Sequence, residues 1–290
     1  EISAGGATDL VEETSDSLSL GFAFEQPFFN QFDLTIGATF YRIELDDTII
    51  EPSSQFIVND CYTNPVDVRS AFCDRITRAS DGFLNFIDAG FINRDSEKIE
   101  GVDVNLAFDM GITLFERPID IGADLVANRS LTKEETFVDV NGNVDFDTDQ
   151  GEFGFPDWNG QVTLRADIAD WRVTWRTRYL GSVNQDADFV DSFGNAVAGT
   201  ANTCLGEAQG DVDCRDIGFA DNYFNHSLSL YYYGDVWTFG AGIRNVLDEE
   251  PPFVSGDEVL AINNTPIGYG YDINGRTYYL NIAATFDVGL

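Results

Sequence analysis

The chain has 290 residues, with 50 acidic side chains against 16 basic ones and a formal net charge of −34. That balance argues against nucleic acid as a partner, because phosphate binding needs clustered Lys and Arg. Hydrophobic residues make up 43% and aromatics 13%, too much for a disordered acidic chain, and 24 Phe, 11 Tyr and 27 Gly suit strands and turns better than helices.

Period-two alternation runs through the chain, and successive side chains on a strand point to opposite faces. Leu18, Leu20, Phe22 and Phe24 alternate with Ser17, Ser19, Gly21 and Ala23; after "EQPFFNQ", Phe32, Leu34, Ile36, Ala38 and Phe40 alternate with Asp33, Thr35, Gly37 and Thr39. A long polar connection over about 46–91 follows and carries Cys61 and Cys73. Val102, Val104, Leu106 and Phe108 then alternate with Asp103, Asn105, Ala107 and Asp109, and beyond "GITLFERP" Ile119, Ile121, Ala123 and Leu125 oppose Asp120, Gly122 and Asp124. The next long connection covers 131–157. Val162, Leu164, Ala166 and Ile168 oppose Thr163, Arg165 and Asp167, and in "DWRVTWRTRYLGS" Trp171, Val173, Trp175 and Tyr179 oppose Arg172, Thr174, Arg176 and Arg178. A third long connection, 182–218, holds Cys204 and Cys214. Phe224, Leu228, Leu230 and Tyr232 oppose Asn225, Ser227 and Ser229; Trp237, Phe239, Ala241 and Ile243 oppose Thr238, Gly240 and Arg244. After a fourth long connection, 248–273, Tyr278, Leu280, Ile282, Ala284 and Phe286 form the last apolar parity.

The fold class predicted is all-β, an antiparallel up-and-down meander of about nine long strands, each near the ~10 residues that cross a bilayer at a tilt. In such a meander every second connection lies on the same side, so the long connections gather at one end and the short turns at the other. Short turns opposite long loops is the pattern of an outer-membrane barrel. In a barrel the Trp171 and Trp175 parity meets lipid while Arg172, Arg176 and Arg178 meet a polar interior. A soluble sandwich would bury the apolar parity instead, and alternation alone does not separate the two. Aromatics near strand ends (Phe28, Phe29, Phe32; Tyr231, Tyr232, Tyr233, Trp237) fit an interfacial girdle as well as plain strand packing.

No run reaches the ~18 apolar residues of a membrane helix, and the opening "EISAGGATDLVEETSD" does not read as an export signal. The cysteines bear on location. Cys61 with Cys73 and Cys204 with Cys214 form two local pairs in polar, turn-rich stretches, which reads as two disulfides made in an oxidising compartment. A zinc site would want C-x-x-C spacing or supporting histidines. The expectation is therefore an exported chain whose beginning is missing.

No catalytic constellation or cofactor motif emerges, and the chain is not expected to be an enzyme. His226 is the single histidine and shares the outward parity of Phe224 and Leu228, as a packed or interfacial side chain would. In "DVNGNVDFDTDQGE", Asp139, Asn141, Asn143 and Asp145 alternate as calcium ligands could, but the glycine and the terminal Glu of an EF-hand are out of place, and a solvated acidic loop competes with this reading. Gly240 and Gly242 lie within a strand, where they would allow close packing. The inward charges are Arg165, Arg172, Arg176, Arg178 and Arg244 alongside Asp103, Asp109, Asp120, Asp124 and Asp167. They read either as a wet polar wall or as contacts for something held inside.

Several stretches resemble the C-terminal part of a TonB-dependent outer-membrane receptor, in family order. "GATDLVEETSDSLSLGFAFEQP" is similar to its strand ending before a Pro turn, "FYRIELDDTI" to its strand ending in a tyrosine and acidic residues, and "EKIEGVDVNLAFD" to its Gly-Val-Glu strand. "GAGIRNVLDEEPP" resembles its Asn-Leu-Phe-Asp-Pro-Pro stretch, and "YDINGRTYYLNIAATF" its closing strand. The family chain ends on its last Phe, whereas "DVGL" follows Phe286 here. The resemblance implies that residues 1–290 are a portion of a larger barrel of about 22 strands, whose plug domain, TonB-contact box and first strands have no counterpart in them. It further implies the outer membrane of a Gram-negative bacterium, with membrane lipid, the receptor's own plug domain and TonB as partners. The solute would be one of those the family imports: a siderophore, cobalamin or an oligosaccharide. The competing functions are a passive porin or adhesin-like barrel and a soluble, secreted carbohydrate-binding domain. The connections 46–82, 131–157, 182–218 and 248–273 carry 28 Asp and Glu against five Arg and Lys. A vestibule built from them would repel anions, so a neutral or cationic solute is expected, with sugars fitting best.

Overall fold

The computed structural model describes residues 2–4, 10–63, 71–138, 144–184, 219–254 and 259–286. Nine strands form the frame: β1 (Thr14–Glu25), β2 (Phe32–Ile50), β3 (Ile92–Leu114), β4 (Arg117–Val138), β5 (Trp158–Ile168), β6 (Trp171–Leu180), β7 (Tyr223–Tyr233), β8 (Trp237–Arg244) and β9 (Thr277–Ala284). They lie in one sheet in strict sequence order from β9 to β1, and a short tenth strand, Val144–Thr148, pairs with the end of β4. This is the predicted meander, and among the described residues its two edge strands, β1 and β9, are not paired with each other.

The turns hold to tight local chemistry. Phe115 and Glu116, at φ +51° and +61°, link β3 to β4, the left-handed pair of a primed hairpin turn. Between β1 and β2 the Gln26 side chain gathers the turn: its amide donates to the Phe29 and Phe32 carbonyls at 2.7 and 2.6 Å, and its oxygen accepts from the Phe28 and Phe29 amides. The "GITLFERP" connection is thus shorter than its sequence suggests, because a two-residue turn lets strand pairing continue to Leu114 and Arg117.

Contacts divide the chain into two units. The first comprises Glu1–Leu18, Tyr41–Glu100 and Thr132–Thr148. The predicted connection over 46–91 is here a small folded element. Ser53 caps helix α1 (Ser54–Thr63), its hydroxyl accepting from the Phe56 amide at 3.1 Å. A 3₁₀ turn follows at Ala71–Arg75, and Leu84–Ala89 pairs with Ile76–Arg78 and, in parallel, with Ile2–Ala4. Ile57, Phe72 and Ala89 are its buried core, with Ile76, Ile87 and Ile92 against them. The Cys61–Cys73 disulfide joins the helix to the 3₁₀ turn. Cys204 and Cys214 lie outside the described residues, so the second expected disulfide does too. Closing a loop of this separation contributes about 3 kcal/mol in the chain-entropy view. Replacing both Cys61 and Cys73 by Ser is therefore expected to lower the stability of this element by that order, read as faster amide exchange across 54–63 and 84–89.

The second unit comprises Ser19–Phe40, Gly101–Leu131 and Asp149–Leu290, and its registers fix the faces. Trp171 opposes Ile168 on one side and Tyr232 on the other; Trp175 opposes Leu164 and Leu228; Leu230 opposes Val173 and Ala241, which opposes Leu280. Among them Leu164 is 48%, Trp171 47% and Leu280 84% exposed, while Ile168, Trp175, Leu228 and Tyr232 are half-buried. Apart from Tyr223 at the start of β7, the buried apolar residues of the unit lie in its long connections, as the cluster Phe153, Val183, Ala220, Val254 and Val259. A soluble sandwich would bury the strand face and leave the loops wet; the burial here is the reverse. His226 falls on the apolar face, its ring 5.4 Å from Trp175 and its Nδ1 sharing a 2.9 Å hydrogen bond with Thr177.

Candidate functional site

The polar face is built in rows, because antiparallel register places one residue of each strand side by side. One row reads Asp120, Asp167, Arg172, Tyr231, Gly240, Asn281 across β4 to β9. The next reads Gly122, Arg165, Thr174, Ser229, Gly242, Tyr279. Asp124, Thr163, Arg176 and Ser227 follow, and Arg244 on β8 faces Thr277 on β9. Val126, Gln161, Arg178 and Asn225 come last, a valine among polar groups. Asp109 joins this face through an ion pair with Arg165, and Asp103 by accepting from Asn128 Nδ2 at 2.8 Å. The ten charges singled out in the sequence thus occupy a single face.

They are not alike in their bonding. Arg172 grips Asp167 with two nitrogens at 2.6 and 3.1 Å, and Asp167 also faces Arg165 Nε at 3.2 Å. Gly122 makes room for this chain of charges, since a Cβ there would stand 2.7 Å from Arg165 Nη2. Gly240 and Gly242 act likewise for aromatics: a Cβ on either would stand 2.3 Å from the ring of Tyr231 or Tyr279. Both rings therefore lie across β8 where the glycines leave the wall thin. Arg172 stands over Tyr233 at 5.7 Å and Arg244 over Tyr279 at 5.5 Å, within cation–π range.

Beside the Arg178 row, the long connections fold into their own core. Phe153 packs edge-on to Tyr269 at 5.6 Å, and Tyr223 edge-on to Tyr271 at 5.1 Å. Arg178 donates to the Gly270 carbonyl, and Asn225 Nδ2 donates to Asp272 Oδ2 at 3.2 Å. Gln161, Arg176, Arg178, Asn225, Tyr271 and Asp272 are among the residues around a cavity of about 310 Å³. Burial, and next the neighbouring Tyr223 hydroxyl, push Tyr271 up to about 12. Raising the folded value above the ordinary 10 favours the neutral phenol. Its stabilisation is complete below about pH 10 and disappears as pH climbs toward 12. Tyrosinate absorbance during alkaline titration should lose its last-ionising component in Tyr271→Phe.

Asp139, Asn141 and Asn143 lie outside the described residues, and Asp145 sits in the short strand opposite Phe137. Among the described residues no group of three His, Cys, Asp or Glu could hold a metal ion. The sequence reading missed the seating of the tyrosines and the loop core; alternation of Gly with Thr and Arg in "WTFGAGIR" was the available signal for the former.

A nine-strand meander with an exposed apolar face and a charged opposite face is the wall of a membrane barrel. The family model described as TonB dependent receptor-like, beta-barrel matches residues 2–246. The chain belongs to this family. TonB-dependent receptors of this kind are outer-membrane transport proteins of Gram-negative bacteria. Two structures of mutants of the ferric enterobactin receptor PfeA from Pseudomonas aeruginosa are similar. One has a TM-score of 0.52 at 16% identity over 94% of this chain and 31% of that one. The other, in complex with enterobactin, has a TM-score of 0.53 at 15% identity over 94% and 32%. The outer membrane transporter YddB from Escherichia coli gives 0.49 at 12% over 96% and 33%. No curated protein matches. The likeness to the PfeA structures is one of fold, and the chain spans about a third of their length.

Proposed function

We propose that this chain is the C-terminal barrel portion of an outer-membrane receptor that imports a solute by active transport energised through TonB. One observation carries the reading: large apolar side chains such as Leu164, Trp171, Leu230, Phe239, Leu280 and Ile282 lie exposed on one face of β5 to β9, while the arginines and aspartates share the opposite face. Lipid suits the first face, and a lumen filled by a plug domain suits the second. Residues 1–290 supply part of the barrel, with the plug and remaining strands in the rest of the receptor polypeptide.

The solute is neutral or cationic, with an oligosaccharide fitting best. The long connections carry 28 acidic residues against five basic ones, a negative vestibule that disfavours anions. The test is uptake by cells carrying the full-length receptor, with and without TonB, of a neutral oligosaccharide series beside an anionic ferric chelate. Oligosaccharide uptake that stops without TonB is expected. Uptake independent of TonB would indicate a passive porin, and preferential uptake of the anionic chelate would overturn the charge argument.

A further inference from the structure

The apolar face of the sheet carries a polar pair. Thr177 on β6 opposes His226 on β7, on the parity of Trp175, Tyr179 and Phe224. The imidazole lies 5.4 Å from the Trp175 ring and 6.4 Å from the Phe224 ring, parallel to the latter within 5°. Trp175 Nε1, which can only donate, donates to Thr177 Oγ1 at 3.0 Å, and that oxygen shares a 2.9 Å hydrogen bond with His226 Nδ1. The arrangement that satisfies all three groups has the hydroxyl donating to Nδ1, which leaves the imidazole proton on Nε2. Among the described residues nothing accepts from Nε2. An N–H without an acceptor is costly in a lipid environment, so this position calls for an acceptor that the sheet does not supply.

Beside the pair, the same face opens into a trough. Leu228 is the next outward residue of β7 after His226. It opposes Ile243, which opposes Tyr278; in the following row Leu230 opposes Ala241, which opposes Leu280. The alanine is the small member of its row, and a cavity of about 610 Å³ is bordered by all six, within the ~300–1,000 Å³ of small-molecule sites. Thr177 and His226 each stand three residues from a strand end, at Leu180 and Tyr223, about 10 Å along the strand. That end bears the long connection 182–218, the outward side of an outer-membrane barrel. From His226 the trough runs toward the middle of the bilayer. A hydrogen-bond donor near the outer boundary and an apolar channel leading inward match an acyl chain held by the carbonyl that links it to its head.

We propose that His226 and the Ala241 trough bind an acyl chain of outer-leaflet lipopolysaccharide, with the chain's linking carbonyl accepting from His226 Nε2. Lipopolysaccharide fits better than a phospholipid because the pair lies toward the outward end, where each lipid A presents several ester and amide carbonyls. The proposal rests on the reading above that this face meets membrane lipid, and adds that a lipid is held at one defined place on it.

The experiment is native mass spectrometry of the full-length receptor in detergent micelles, titrated with hexa-acyl lipid A or with phosphatidylethanolamine. Wild type is expected to bind lipid A in preference to the phospholipid. His226→Phe keeps a ring but loses the Nε2 donor, and should weaken lipid A binding about three- to tenfold, the worth of one hydrogen bond. Ala241→Leu fills the trough and should weaken it to at least the same extent. Ala166→Leu, the same enlargement on β5 between Ile121 and Val173, should leave it unchanged. Equal effects of the two alanine substitutions, or lipid A binding untouched by His226→Phe, would overturn the proposal. So would phosphatidylethanolamine bound as tightly as lipid A. Failure of the underlying reading looks different: the wild-type receptor itself would not be recovered from the outer membrane as a barrel.

Discussion

Leu164→Arg in the full-length receptor is expected to cost about 2–4 kcal/mol of stability in lipid, and Thr163→Arg less than about 1 kcal/mol. The two positions are neighbours near the middle of β5, so strand propensity and depth are shared. Leu164 opposes Ala123 and Trp175 on the apolar face and is 48% exposed. An arginine there would have to place its charge in hydrocarbon or bend toward the interface. Thr163 opposes Asp124 and Arg176 on the polar face, where a new guanidinium meets one acid and one base. Denaturant unfolding in vesicles, followed by tryptophan fluorescence, separates the two. Equal costs would mean that the parities do not see different media.

The second large effect is expected at Asn245. It is fully buried, adopts φ +51°, and closes a small loop with its side chain. Its amide donates to the Glu249 carbonyl at 2.8 Å while its oxygen accepts from the Glu249 amide at 2.8 Å. Asp248, held in turn by the Asn245 carbonyl, accepts from the Arg276 amide at 2.8 Å and so ties this loop to the start of β9. Asn245→Ala removes two partly buried hydrogen bonds, takes the side-chain partner from the Glu249 backbone, and puts a Cβ residue without a compensating side chain into the left-handed region. The cost should be about 3 kcal/mol. Asn245→Gly restores the backbone freedom and should cost about 2 kcal/mol. Thermal unfolding of the two variants beside wild type provides the measurement.

The strands were legible because period-two alternation is a local property: "WRVTWRTRYL" assigns its own faces whatever surrounds it. The nine predicted strands match the nine of the sheet in order, and the pairing of Cys61 with Cys73 followed from their spacing. What alternation could not show was where β2, β3 and β4 stop. The outer parts of these strands, β2 past about residue 40, β3 before about 101 and β4 past about 131, are mixed in polarity, and there the apolar stripe required by lipid gives way to ion pairs such as those of Lys133 with Glu97 and Glu135. Helix α1 was hidden in a stretch judged polar, its core consisting of Ile57, Phe72 and Ala89, spaced too irregularly to announce a helix. On the polar face the sequence identified which residues share a side, since parity fixes that. It could not show that Asp167 serves two arginines while Arg176 and Arg244 go unmatched, because those relations depend on register between strands far apart in sequence.

The two faces of this sheet are expected to meet different solvents. Nitroxide labels placed singly at positions 171 to 180 of the full-length receptor in lipid report it directly, through relaxation by oxygen, which partitions into hydrocarbon, and by a charged nickel chelate, which does not. The account predicts alternation with a period of two: oxygen access high at 171, 173, 175, 177 and 179 and low at the residues between. Uniform access along β6, or a reversed alternation, would contradict it.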